Sequence, residues 1–472
     1  MRKVRNKYLI IPGVLLLLLL SAKIIFIISA GDNAVFMGGD SAGYEEPAKG
    51  LLQNSRFTIN RDNPDIPNIV RTPGYPLLIA AVYGAFGDHR KALMIVQAII
   101  LSVTAVLVFA IVMKIASPPY AMAAAILYLM DLNSHYMSLL VMTETFFTFL
   151  LTASIFILVS VIKHPLRLSL MLPAAGFLLG YAILVRPIAV FFPLIFLVVL
   201  GIHFAGRRVS PAGTVAWCFL FLLPVIALCG TWMVRNHART GTWEISTIGS
   251  KSLLLYQAAD IIARQRGLPI EGARAVLLDS LSEEPAPRSF LSPEFSRAAR
   301  KLAVSIIRNH PLAFVRNQII GSFRVMLSPG VAGFACMTGV NPEYKNSRGD
   351  RVILDMAKLN VSRYIERHIV QRPVSTAITF YGLFFLAVLY AGIGFGFFRV
   401  SKMRSWLRCN PAVFILVSLC VIYLVILNPG VAGAESRFRT PVMPYLVIAS
   451  SFGWAGLFRL IKRKKNNESQ NI

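Results

Sequence analysis

Two carboxylates and a small set of arginines are the residues in this sequence whose types could do chemistry. Asp40 and Tyr44 lie in the run GGDSAGYEEPAKGLL, Arg71 in IVRTPGYPL, Glu144 in MTETFF and Arg186 in LVRPIAV. Arg235 and Asn236 follow Trp232, and Arg437 and Arg439 belong to the run ESRFR that begins at Glu435. A carboxylate can take the proton of an attacking hydroxyl or amine. Arginines can hold a phosphate leaving group through paired hydrogen bonds from a planar fork. Together these types suit attack by a hydroxyl or amine with a phosphate as the leaving group.

Each of these residues has a structural alternative. Asp40 can be a solvated loop acid or a helix cap, and Glu144 can sit at a helix N-terminus because acids favour that end. Arg71 and Arg186 can snorkel to lipid head groups, and Arg437 and Arg439 can anchor a span at the interface. His135, His237 and His310 are scattered along the chain, without the close spacing of a metal site. No P-loop, GxSxG, HExxH or dinucleotide fingerprint occurs. Nucleotide-driven transport and the common hydrolase chemistries therefore find no motif to rest on.

The elements that must position these residues are membrane helices. The chain has 472 residues, 56% of them hydrophobic and only 15% charged, with a mean hydropathy of +0.63. About 25% charged is usual for a soluble domain. Apolar runs long enough for a bilayer core of ~30 Å recur along it. They fall near Tyr8–Ala30, Ala92–Ala116, Pro119–Asn133, Thr143–Ile162, Leu168–Leu184, Pro187–Phe204, Pro211–Trp232, Val374–Phe398, Pro411–Leu427 and Pro441–Leu460. An eleventh stretch, Pro73–Gly87, makes a helix of only about 22 Å and falls short of a crossing. The expected fold class is an all-α polytopic membrane protein with about ten transmembrane helices, a juxtamembrane helix and an outer α or α/β domain.

Charge placement supports that count. Basic clusters occur at the N-terminus, at Lys114, Lys163 with Arg167, Arg207 with Arg208, Arg399 to Arg408, and Lys462 to Lys465. If Pro73–Gly87 does not cross, all of them share one side, as the positive-inside rule expects for the cytoplasm. Both termini are then cytoplasmic, in a cell (inner) membrane. The first apolar run is longer than a signal peptide's core and reads as a retained anchor. Residues 1–234 are expected to form a transmembrane module whose first outer loop, 31–92, holds the candidate catalytic residues Asp40 and Arg71. Residues 235–372 form an extracytoplasmic domain, and 373–472 the last helices and a cytoplasmic tail. The outer domain holds 20 Lys and Arg against 11 Asp and Glu, which long loops tolerate.

The net charge of +26 is distributed as topology signals and not as a nucleic-acid patch, so no nucleic acid is expected as a partner. Of the five cysteines, Cys218, Cys229 and Cys420 lie in apolar runs, Cys409 in a basic turn, and Cys336 alone in the large loop. Neither a disulfide framework nor a CxxC metal spacing is present.

The ordered set of motifs resembles a known family. Asp40-x-x-x-Tyr44, RTPGYPLLIA with Arg71 and Tyr75, MTETFF with Glu144, LVRP, W-x-x-RN with Arg235 and Asn236, and RFRTPVMPYL follow one another. In this order they are similar to the protein O-mannosyltransferase-like glycosyltransferases of the GT-C fold. That family includes protein mannosyltransferases and the aminoarabinose transferases of lipid A. The resemblance implies a polyprenyl-phosphate sugar as donor and a lipid, glycan or protein as acceptor, with membrane lipids around both. It implies Asp40 as catalytic base, Glu144 as the second acid, and Arg71 with Arg186 and Arg235 on the donor phosphate. Tyr44, Tyr75, Asn236, Arg437 and Arg439 are then expected at the substrate. Many members carry Asp-Glu in the first loop where this chain has Asp40–Ser41, so a divalent metal held by adjacent acids loses one ligand; no cofactor or metal ligand set is otherwise implied.

The expected reaction is a single displacement with inversion at the sugar carbon. A flippase for lipid-linked sugars is the alternative from another class. It needs polar residues along a path through the membrane midplane, whereas these residues gather at one face. An oligosaccharyltransferase or polymerase is the alternative within the enzyme class, and a non-catalytic subunit is disfavoured by the intact Asp40, Glu144 and Arg71.

Overall fold

The computed structural model describes residues 2–30, 36–60, 62–163, 167–282, 290, 292–330, 373–398, 411–427 and 430–468. Expectations for Cys336, Cys409, the cluster Arg399 to Arg408 and the remainder of 331–372 lie outside the described residues. Among those described, eight helical stretches are long and apolar enough to cross a bilayer. Three shorter apolar helices accompany them. The protein is an all-α polytopic membrane protein.

The first module contains α1 (Arg2–Ser29), α2 (Ala42–Asn54), a two-stranded antiparallel ribbon of β1 (Thr58–Asn60) and β2 (Asn63–Pro67), and α3 (Gly74–Phe86). The strands lie in the first loop, whereas the described part of the 235–372 region is helical, so the α/β version of that region is not seen there. Helices α4 (Arg90–Ile115), α5 (Pro118–Leu129), α6 (Leu132–Met137), α7 (Glu144–Lys163) and α8 (Leu168–Val185) follow. The α3 helix has 13 residues, about 20 Å at the helical rise, which is less than a crossing.

Then come a 3-10 turn (Pro187–Phe191), α9 (Phe192–Gly206) and α10 (Pro211–Thr240). Two boundaries differ from the sequence expectation. Asp131 accepts hydrogen bonds from Ser134 N and Ser134 Oγ, capping α6, so the apolar run stops at Leu129 and does not continue to Asn133. Helix α10 runs on past Trp232 until Gly241, whose φ of +72° ends it. Arg235 and Asn236 therefore sit on a helix and do not open a loop.

The bundle packs α4 on α5 and α7, α8 on α7 and α10, and α1 on α4 and α5. Gly176 allows the α8–α10 contact: a Cβ there would fall 2.0 Å from the Phe221 carbonyl oxygen. Residues 248–309 form a small helical unit with its own core of Leu254, Leu277, Leu281, Phe295 and Ala299. It comprises α11 (Ile248–Ser252), a π turn (Leu253–Ala258), α12 (Ala259–Arg266), α13 (Ile270–Ser282) and α14 (Pro293–Asn309). Helix α15 (Pro311–Leu327) packs beside it, Gln257 Nε2 donating to Gln318 Oε1, and α16 (Pro373–Phe398), α17 (Pro411–Ile426) and α18 (Met443–Glu468) complete the described chain. A 3-10 segment, Ser436–Val442, precedes α18.

Candidate active site

Asp40 stands in the turn before α2, and that turn is stitched to the segment before α7. Ser41 Oγ accepts from Gly38 N at 2.7 Å and donates to Val141 O at 2.8 Å, while Val141 N donates to Phe36 O. Ser41 is fully buried and serves as a loop fastener beside Asp40. The same stitching brings Asp40 to the side of the bundle where Glu144 starts α7.

Both oxygens of Asp40 are taken by arginines from opposite ends of the chain. Arg71 Nη2 is 2.7 Å from Oδ1 and Arg437 Nη1 is 2.8 Å from Oδ2. Burial alone would raise the Asp40 carboxyl, but the Arg437 and Arg71 guanidiniums overcome it and hold it well below the usual carboxylate range. Arg71 also donates to the Tyr44 hydroxyl at 3.0 Å and lies 4.4 Å from the Tyr44 ring centroid. Gly43 leaves room for it, since a Cβ there would stand 3.1 Å from Arg71 Nε. Arg437 Nε is 2.8 Å from Glu435 Oε2, close enough for an ion pair though off-line for a hydrogen bond.

Glu144 forms a second pair. Its Oε1 is 2.7 Å from Arg186 Nη1 and its side chain is 1% exposed. Arg186 also donates to Thr143 Oγ1 and lies between the Phe147 and Phe438 rings. Arg437 is within electrostatic range of both Glu144 and Asp40, so the two pairs form one cluster. The structure thus brings together Asp40, Tyr44, Arg71, Glu144, Arg186 and Arg437 of the residues expected from sequence.

The other expected site residues support this cluster from outside it. Tyr75 is buried edge-on to Tyr44 at 5.4 Å, and its hydroxyl donates to Gln97 Oε1. Arg235, expected on the phosphate, instead donates to the carbonyls of Asn68 and Phe57 and lies 4.7 Å from the Trp232 ring centroid. Asn68 in turn receives the backbone N–H of Arg71, so Arg235 braces the loop that presents Arg71. Asn236, expected at the substrate, is fully buried and donates to Glu244 O. Arg439, also expected there, is buried and faces the carbonyls of Val325 and Met326 at 3.2 and 3.0 Å. The physical reason is common to all three: a buried donor is satisfied by the nearest orphan carbonyl, and sequence does not show which carbonyl that is.

Two residues of structural weight went unremarked in the sequence. Glu45 is buried and takes two hydrogen bonds from Arg90, at 2.9 and 2.8 Å, and one from the Tyr83 hydroxyl. It locks α2, which carries Tyr44, to α3 and α4. Lys23, inside the first apolar run, donates to Ser138 Oγ. A charge within an otherwise apolar run was its only signal. Among the described residues no group of three or more His, Cys, Asp or Glu stands together as a metal site. Asp40 with two guanidiniums on its oxygens does not fit a divalent cation.

Residues 70–232 match the family model described as dolichyl-phosphate-mannose-protein mannosyltransferase. Among solved structures, the apo oligosaccharyltransferase of Archaeoglobus fulgidus is similar at a TM-score of 0.51 and 12% identity, over 98% of this chain and 52% of that one. The chain has the GT-C fold and resembles the protein mannosyltransferases. Its matched region, ending in α10, includes Arg71, Glu144 and Arg186, whereas Asp40 and Arg437 lie outside it. The archaeal oligosaccharyltransferase AglB from Archaeoglobus fulgidus, in complex with an inhibitory peptide and a dolichol-phosphate, matches at a TM-score of 0.45 and 12% identity, over 96% and 52% of the two chains. ArnT from Cupriavidus metallidurans bound to undecaprenyl phosphate matches at 0.35 and 12%, over 95% and 78%. The GT-C chain described here spans about half the length of the oligosaccharyltransferase structures. No curated protein matches it by sequence.

Proposed function

We propose that this protein is a membrane glycosyltransferase that moves a sugar from a polyprenyl-phosphate donor to an acceptor on the extracytoplasmic side, with inversion at the anomeric carbon. The observation that carries the reading is the Asp40 carboxylate with one guanidinium on each oxygen. A phosphate entering beside Asp40 meets two arginines already turned inward, and the mannosyltransferase family match supports a lipid phosphate as the group they receive. The acidic partner of those arginines is the group that must accept the proton.

The two roles are linked. A general base works best when its pKa lies near the working pH, and Asp40 held by Arg71 and Arg437 is too weak a base. When the donor phosphate draws both guanidiniums to itself, Asp40 loses the charges that depress it and regains basicity. The acceptor O–H then attacks the anomeric carbon, its proton passes to Asp40, and the bond from that carbon to the phosphate oxygen breaks. Polyprenyl phosphate leaves with its new negative charge on Arg71 and Arg437. Glu144 with Arg186 orients the acceptor beside them. The basic excess of residues 235–372 suits an anionic acceptor.

The reading is tested with purified protein in nanodiscs by titrating undecaprenyl phosphate against the Arg71 variants. Arg71→Ala is expected to weaken binding by at least about tenfold, and Arg71→Lys by less, since lysine keeps the charge and loses the planar fork. Unchanged affinity in Arg71→Ala removes the phosphate from this site. Mass spectrometry of envelope glycans, lipids and glycoproteins after deletion of the gene then identifies the sugar and its acceptor by what disappears.

A further inference from the structure

Helix α15 ends in a way that water does not require. Its last carbonyls are met by protein side chains: the Tyr390 hydroxyl donates to Met326 O at 2.7 Å, and the Arg439 guanidinium faces Val325, Met326 and Ser328. Tyr390 lies well inside the apolar stretch Thr376–Gly396 of α16. Along its flank, Gln318 Nε2 and Ser322 Oγ donate to the carbonyls of Ile426 and Val425, at the end of α17. Those are two of the carbonyls that a helix C-terminus leaves open.

Another face is largely apolar and exposed, Arg316 apart. Leu312, Val315, Ile319, Phe323 and Leu327 follow helical spacing along one face, each at least 51% exposed. Ile422 and Ile426 of the adjoining α17 are exposed as well, so the stripe continues an apolar surface of the bundle. In water such a continuous stripe is an aggregation liability. In hydrocarbon it is what the solvent demands, provided the backbone ends are satisfied internally, as the carbonyls of Val325 and Met326 are. With 17 residues α15 is about 25 Å long, enough for one leaflet and short of a full crossing. Arg308 and His310 precede it, and Arg316 lies in its second turn on the striped side, where a long side chain can reach head-group phosphates.

We infer that α15 is a half-membrane helix, entering one leaflet at its Pro311 end and stopping at the depth of Tyr390. The occupant of its open face is lipid acyl chain. The region expected to be wholly extracytoplasmic then includes one element immersed in the bilayer, and Arg439 serves as the buried cap that lets a helix stop there. This inference is independent of the proposed reaction.

The experiment uses the full chain in liposomes, with its native cysteines replaced and one environment-sensitive fluorophore attached at Leu312→Cys, Phe323→Cys or Arg297→Cys. Arg297 is on α14 with its side chain 70% exposed, which makes it the aqueous reference. The Phe323 label is expected to be quenched most by a nitroxide midway down the lipid chain, and the Leu312 label most by one near the head group. Both are expected to be several-fold less sensitive to iodide than the Arg297 label. If iodide quenches the Phe323 label as strongly as the reference, the helix lies in water. If neither iodide nor any lipid nitroxide reaches it, protein covers the face, and either result overturns the inference.

Discussion

Replacing Asp40 by asparagine separates catalysis from binding in a way that no purely structural role would. Asparagine keeps the shape and one accepting oxygen but cannot take up a full proton near neutral pH. Turnover is therefore expected to fall by ~10²–10⁴-fold, the usual contribution of a general base. Of the two charge-assisted hydrogen bonds from Arg71 and Arg437, one then goes to an uncharged oxygen and weakens by about 1 kcal/mol, and the other is lost because an amide NH2 cannot accept, which costs about as much again. The Asp40 side chain is 35% exposed, so solvent screening brings the sum down to roughly 1 kcal/mol. That energy no longer opposes the transfer of the arginines to a phosphate, so donor affinity is expected to tighten by about fivefold. The assay pairs single-turnover sugar transfer with titration of undecaprenyl phosphate, both in nanodiscs at pH 7. A turnover within threefold of the parent, or a donor affinity that weakens, would refute the reasoning. A helix cap would be preserved by asparagine, which caps as well as aspartate.

Two further outcomes are expected. Glu45→Gln should lower stability by about 1–2 kcal/mol, because the charge is lost from a buried acceptor of the half-buried Arg90 while one accepting oxygen remains. Arg90 and Tyr83 outweigh the burial that would raise the Glu45 carboxyl, and hold it below its usual value. Its contribution is thus complete above the unfolded-state pKa and is lost as pH falls through the lower folded value. The parent and Glu45→Gln melting temperatures should accordingly differ most at neutral pH and converge in acid; a gap that widens in acid would reverse the sign of the argument. For the topology, cysteines placed near Asp62 and near His89 should both react with an impermeant reagent from outside, because α3 is too short to cross. Labelling at Asp62 alone would mean that Gly74–Phe86 spans.

Several residues of the charged cluster stand out by their types and positions along the chain. Asp40 and Glu144 are acids at the ends of apolar runs, and Arg71 and Arg186 each precede a proline or a threonine-proline pair at a span boundary. Local context was enough because a charge at such a boundary has few harmless explanations. The same signal does not show that Arg235, Arg439 and Asn236 stand outside that cluster. Their neighbourhood in sequence resembles that of Arg71 and Arg437, and only folding reveals that carbonyls of residues 57, 68, 244, 325 and 326 claim them. Glu45 was hidden for the opposite reason, since an acid in the first turn of a helix with a lysine four residues on looks like an ordinary surface pair.

By itself the sequence determined the solvent of this protein and its element type. Hydropathy acts residue by residue, and hydrocarbon leaves a buried backbone little choice but helix. It also determined which side chains were chemically worth attention. The tertiary structure alone decided their partnerships. Asp40 and Arg437 are 397 positions apart, and nothing local to either one specifies the other. Their meeting depends on the Ser41–Val141 stitch, the room left by Gly43, the Glu45 lock and the packing that brings the segment before α18 back to the first loop. Long-range pairing is a property of the whole packed chain, because each hydrogen bond goes to whichever partner the surrounding helices leave within reach.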